Sequence, residues 1–251
     1  MRMLDTQILV HMKAGRRPPP RSGAIASVAA KEFLIAYGAE PDRERYYASY
    51  ARAWAHPSAP FHGAKATARH PTIRQKTDRL VIDFADEQAS VVEYGSRTFA
   101  KMINEARGDC FDAAIAALPK DEQRPLRQRF RFLVGHSLKC FALEGESLAI
   151  GLGILDELLD SHAPKRNFLN TLRDTMILGV AVKHGIPLQT EDKLLGTLAA
   201  ARFGVRVHDE GDDVIVDFGA AASSGRRPRA ESRGYIHRGW RIATDARSGG
   251  G

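Results

Sequence analysis

From Asn167 to Arg202 the chain alternates in a way that few architectures accommodate. Apolar residues recur at three- and four-residue spacing as far as His184, Gly185 stops them, and the short run Ile186 to Gln189 follows. Thr190 then stands ahead of a second helical pattern, about Glu191 to Arg202, closed by Gly204. A helix, a glycine stop, a brief strand and a second helix form the grammar of an α/β sheet with mainly parallel strands flanked by helices. The chain opens in the same grammar. Arg2 to Leu4 reads as a strand ending at Asp5, Ala24 to Ala26 as another, and Ser27 as the N-cap of a helix from Val28 to Tyr37 that Gly38 stops. Gly15 and the prolines at 18 to 20 make residues 11 to 23 a basic loop. Leu80 to Phe84 and Ser90 to Tyr94 alternate as a hairpin, and Thr98 to Glu105 suggests a short helix. Further helices are expected at Phe111 to Leu118, Pro125 to Leu143 and Ser147 to Asp160, and a last hairpin at Val205 to His208 with Val214 to Phe218.

Composition narrows the classes. With 251 residues, 43% of them hydrophobic, the chain can bury a sizeable core. Its two cysteines, Cys110 and Cys140, form neither a C-x-x-C pair nor a four-cysteine zinc site, which fits a reducing compartment. The longest apolar stretch, Leu148 to Leu159, is broken by Asp156 and Glu157 and is too short to span a bilayer. Asp5 interrupts the apolar start, which argues against a secretory signal. A cytoplasmic protein without a membrane partner is expected.

The net charge of +7 is unevenly spread. Residues 225 to 251, 41 to 76 and 120 to 139 are strongly basic, and the remainder is acidic, a pattern suited to a polyanion partner and a metal-binding acidic centre. In the tail, Tyr235 and Trp240 interleave with Arg233, Arg238 and Arg241, offering stacking surfaces beside phosphate-binding charge. Its Gly, Ser and Arg content otherwise reads as flexible.

The carboxylates carry the chemistry. Asp5 ends the first strand and Asp192 lies where a strand hands over to a helix, the carboxyl edge at which open α/β sheets place their sites. Asp174 lies off the core stripe of Leu169, Leu172, Met176 and Val180, with Asn170 one turn earlier and no Lys or Arg at four-residue spacing from Asp174. Converging carboxylates repel one another unless a divalent cation neutralises them, and oxygen-only ligands suit Mg²⁺ or Mn²⁺. Other motifs are weaker. The acidic run Asp209 to Asp213 lacks the ligand spacing of a calcium loop, His56, His62 and His70 have no cysteine partners, and Gly151-x-Gly153 lacks the third glycine of a dinucleotide loop.

Taken in order, these stretches resemble a known family. Leu4-Asp5-Thr6, Ser27 to Leu34 with Glu32, Leu172-Arg173-Asp174 with the helix to His184-Gly185, and Leu188-Gln189-Thr190-Glu191-Asp192 are similar to the four acidic signatures of PIN-domain nucleases. The resemblance covers residues 1 to 37 and about 125 to 208 and implies a PIN-like fold. It also implies that Asp5, Glu32, Asp174 and Asp192 hold Mg²⁺ or Mn²⁺ and cut RNA, with Thr190 and Asn170 in support. Members include ribonuclease toxins of toxin-antitoxin pairs, so the resemblance brings a cognate antitoxin and a homodimer as expected partners. On this reading residues 1 to 218 form a nuclease domain with an insertion at about 38 to 120, and 219 to 251 a flexible basic tail. Taken singly, Asp5 or Asp192 is an ordinary cap and Glu32 a surface residue; the ordered set lifts them above that. The competing expectation is a catalytically silent PIN-like module that binds nucleic acid or protein through its basic arms.

Overall fold

The computed structural model describes residues 1–37, 44–45, 79–84, 91–116, 118–161, 168–218, 236–237 and 240–244. A six-stranded sheet organises them. Its strands are β1 (Arg2–Leu4), β2 (Gly23–Ala26), β7 (Lys139–Phe141), β8 (Leu188–Thr190), β9 (Arg206–Glu210) and β10 (Asp213–Asp217), in the order β7-β2-β1-β8-β10-β9. The first four neighbours run parallel, with Leu4 opposite both Ile25 and Gln189, and Ile25 opposite Cys140. β10 runs antiparallel to β8 and to β9, closing one side with a hairpin.

Two-residue alternation divides the helices between the faces. Met3, Ala24 and Ala26 join a core with α6 (Gly145–Ser161), α7 (Phe168–His184) and α8 (Lys193–Phe203). Leu4 and Ile25 point the other way, into a core shared with α1 (Thr6–Lys13), α3 (Ser96–Asn104), α4 (Gly108–Ile115) and α5 (Lys120–Gly135). A parallel sheet covered on both faces needs apolar residues on both, which is why β1 and β2 are buried throughout apart from Arg2. On the first face α6 and α7 pack closely. A Cβ on Gly151 would lie 2.7 Å from the Thr175 carbonyl oxygen, so this glycine serves helix contact rather than a ligand loop.

Several boundaries differ from expectation, each for a tertiary reason. α1 follows Asp5 directly, where no helix was read. α2 spans Ser27–Phe33 only, because β3 (Ala36–Tyr37) pairs with β4 (Glu44–Arg45) straight after it. Ser27 is not its cap: Ala26 is, and the buried Ser27 hydroxyl accepts the Leu143 N–H at 3.0 Å. The helix expected over Pro125 to Leu143 starts earlier and ends at Gly135, since Lys139–Phe141 is drawn into the sheet beside β2. Leu169, placed on the core stripe, is exposed, whereas Leu172, Met176 and Val180 are buried.

The expected hairpin forms from β5 (Arg79–Phe84) and β6 (Val91–Tyr94). The tail, read as flexible, contributes β11 (Ile236–His237) and β12 (Trp240–Thr244); β12 pairs antiparallel with β5, Trp240 opposite Phe84. Of the stretch read as an insertion, α3 and α4 are integral to the second core, where the Phe111 and Phe130 rings stack at 4.4 Å. No helix among the described residues is long and apolar enough to cross a membrane.

Candidate functional site

Asp5 leaves the carboxyl end of β1 and caps α1, its Oδ1 accepting the Thr6 N–H at 2.6 Å. Its other oxygen, Oδ2, accepts the hydroxyl of the fully buried Thr190 at 2.7 Å. That hydroxyl also accepts the Asp192 N–H at 3.0 Å, so one threonine at the end of β8 links Asp5 to the next acid in the chain. The N-cap of α8 is Asp192, not Thr190: its Oδ1 accepts the Leu195 N–H at 3.1 Å. The Asp192 carboxylate is thereby aimed from a helix start at the same sheet edge as Asp5.

Glu32 comes from α2. Thr6 donates its hydroxyl to Glu32 Oε2 at 2.6 Å, and Arg173 Nη1 lies 3.6 Å from Oε1. Arg173 itself is buried, a costly state for a guanidinium that a carboxylate partner offsets. Burial pushes the Glu32 carboxyl up to about 7, with Asp174 and Asp5 adding to the rise and the Thr6 hydrogen bond and Arg173 opposing it. Asp5 and Asp174, from elements far apart in sequence, therefore both act electrostatically on Glu32. Of the four acids expected to be uncompensated, Glu32 has a counter-charge. The counter-charge is Arg173, which meets Glu32 across the α7 to α2 contact rather than along its own helix.

The supporting residues divide. Thr190 is inside the site; Asn170 lies exposed one turn before Asp174, and no hydrogen bond joins it to the four acids among the described residues. Arg233, Tyr235 and Arg238 lie outside the described residues, and Trp240 and Arg241 are placed as backbone of β12. His56, His62 and His70 also lie outside them. Thr6 and Arg173 were not singled out from sequence. Both adjoin a candidate acid in the chain, which is the signal that was present.

On the opposite face the loop after α1 is tied down. Arg17 donates to Asp213 and, through Nη2, to Glu191 Oε1 at 2.8 Å; His11 Nδ1 lies 2.7 Å from that same oxygen. Gln189 Nε2 donates to Asp213 Oδ2 at 2.7 Å. Arg17, Gln189 and Asp213 border a cleft of about 490 Å³ with Arg2, Leu4 and Met12, and none of the four candidate acids lines it.

Among the described residues, no three of His, Cys, Asp or Glu stand together closely enough to hold a metal ion as placed. The donors are nonetheless all carboxylate and hydroxyl oxygens, and a desolvated Glu32 with two acidic neighbours is an environment that a hard divalent cation would relieve. No known family model matches this chain, and neither do curated proteins or solved structures. The class defined by the fold is an α/β protein with a mostly parallel sheet.

Proposed function

We propose that the chain is a PIN-like, Mg²⁺- or Mn²⁺-dependent endoribonuclease with Asp5, Glu32, Asp174 and Asp192 at its centre. The observation that carries the reading is the convergence on Glu32 of Thr6, Arg173, Asp174 and Asp5, residues from both ends of the sheet-forming sequence. These four acids would hold the ion, which when bound supplies electrostatic stabilisation of a phosphodiester undergoing in-line displacement.

The chain's own groups do the rest. Thr190 fixes one Asp5 oxygen and leaves the carboxylate turned to the sheet edge, while the α8 N-terminus orients Asp192. Thr6 and Arg173 clamp Glu32 from two sides, restricting its rotamer. Without the ion, burial pushes the Glu32 carboxyl up to about 7, so this is the acid whose charged form a bound cation would favour most, as a ligand or as the orienter of the attacking water.

A silent binding module is the second reading, favoured by the Arg173 guanidinium lying where a cation is needed. A time course on labelled structured RNAs with Mn²⁺, an EDTA control and Asp174→Asn separates the two. Metal-dependent cutting lost in the variant is expected. RNA binding by the wild type with no cutting of RNA or single-stranded DNA would overturn the nuclease reading in favour of the module.

A further inference from the structure

The outer face of α5 carries a line of cations. Lys120, Arg124, Arg127 and Arg131 follow at four-, three- and four-residue spacing, so they fall within an arc of roughly 60° and extend along about 16 Å of helix. The opposite face is buried through Gln123, Leu126, Phe130 and Leu133. Arg127 meets Asp112 at 2.7 Å, whereas exposed Lys120, Arg124 and Arg131 have no ion-pair partner among the described residues. The acids of this helix, Asp121 and Glu122, lie off the stripe in its first turn, where they favour the N-terminus.

The fold positions this line. Residues 136 to 138 deliver the end of α5 to the starting edge of the parallel strand β7. Midway along α5, Arg129 donates to the Phe33 and Ile35 carbonyls at 3.1 and 2.8 Å, securing the helix to the chain just after Glu32. The Lys120 end therefore rises towards the carboxyl edge that carries Asp5 and Asp192. A row of long cations, three of them without an ion-pair partner among the described residues, suits a regular polyanion rather than a folded protein surface.

We propose that Lys120, Arg124, Arg127 and Arg131 form a backbone-binding track that leads single-stranded RNA towards the acidic edge. The choice of RNA rests on the nuclease reading; the phosphate contacts do not.

The test uses the full chain in EDTA and a labelled single-stranded oligoribonucleotide, with affinity read by fluorescence anisotropy across a KCl series. A variant carrying Lys120→Gln, Arg124→Gln and Arg131→Gln keeps the fold, checked by its melting curve, because all three side chains are exposed. Each lost phosphate contact flattens the slope of log K against log salt by about 0.7, so a total flattening of about 2 is expected, with affinity down at least roughly tenfold. A control with Arg16→Gln, Arg21→Gln and Arg206→Gln removes the same charge from other exposed sites and should keep the wild-type slope. An unchanged slope in the α5 variant, or equal flattening in the control, overturns the proposal. If the slope responds as expected while the wild type cuts nothing with Mn²⁺, the track stands and the nuclease reading falls.

Discussion

Glu32 and Asp192 reach the same edge by opposite physics. Asp192 is a half-buried helix cap whose carboxylate accepts the Leu195 N–H and whose own N–H is held by Thr190, so local backbone geometry places it. Glu32 is desolvated and held by a hydroxyl from one helix and a guanidinium from another. A cap stabilises its fold whatever else it does, whereas the Glu32 cluster costs free energy that packing must offset. The contrast separates an acid whose placement stabilises its helix from one whose placement costs free energy.

The strongest way to break that contrast is Arg173→Met. It removes the guanidinium from a buried carboxylate flanked by Asp5 and Asp174, and should cost about 3 kcal/mol in EDTA at pH 8, measured by urea unfolding. The loss should shrink at pH 5, where Glu32 is protonated. A loss independent of pH would show that Arg173 acts by packing alone.

Next comes the pH dependence of the metal-free wild type. The Glu32 carboxyl stands near 7 in the folded state against about 4.5 when unfolded, so the folded protein holds the extra proton. Its contribution is complete below about 4.5 and is lost as pH rises through about 7. The groups facing it are Arg173, Asp174, Asp5 and the Thr6 hydroxyl. Wild type should therefore lose stability across that window relative to Glu32→Gln, by an amount of order 1 to 3 kcal/mol. Parallel melting curves for the two proteins would place Glu32 in solvent.

Thr190→Val tests the link between the two sides. It leaves one buried Asp5 oxygen without its donor and should cost about 1 to 3 kcal/mol in chemical denaturation. The smallest effects belong to Asp192. Replacement by Ala should cost about 1 kcal/mol, and replacement by Asn almost nothing, because Asn caps equally well. If Asp192→Asn nevertheless abolishes Mn²⁺-dependent cleavage, capping and chemistry are separated in a single residue.

Much of this was legible in the chain. The strand end at Asp5 and the strand-to-helix handover at Thr190-x-Asp192 are local, and local patterns survive folding, although the helix that follows Asp5 was not read. What was hidden depended on partners far away in sequence. Lys139–Phe141 reads as the continuation of a helix until β2 offers it a ladder. Thr190 has the composition of a cap until Asp5 takes its hydroxyl. Arg173 was invisible as a counter-charge because helix spacing reports only neighbours on the same helix, and Glu32 lies on another.

The Arg17 bridge has an electrostatic corollary. Glu191 sits between Thr190 and Asp192, yet it is met on the far side of the sheet by His11 and Arg17, and Arg17 covers Asp213 as well. Two carboxylates that would otherwise spread negative potential around the whole edge are screened on that side. The field of the acidic edge is thus lopsided. What negative potential the edge keeps is confined to the side of Asp5, Asp174 and Asp192, because on the other side each carboxylate has a cation against it.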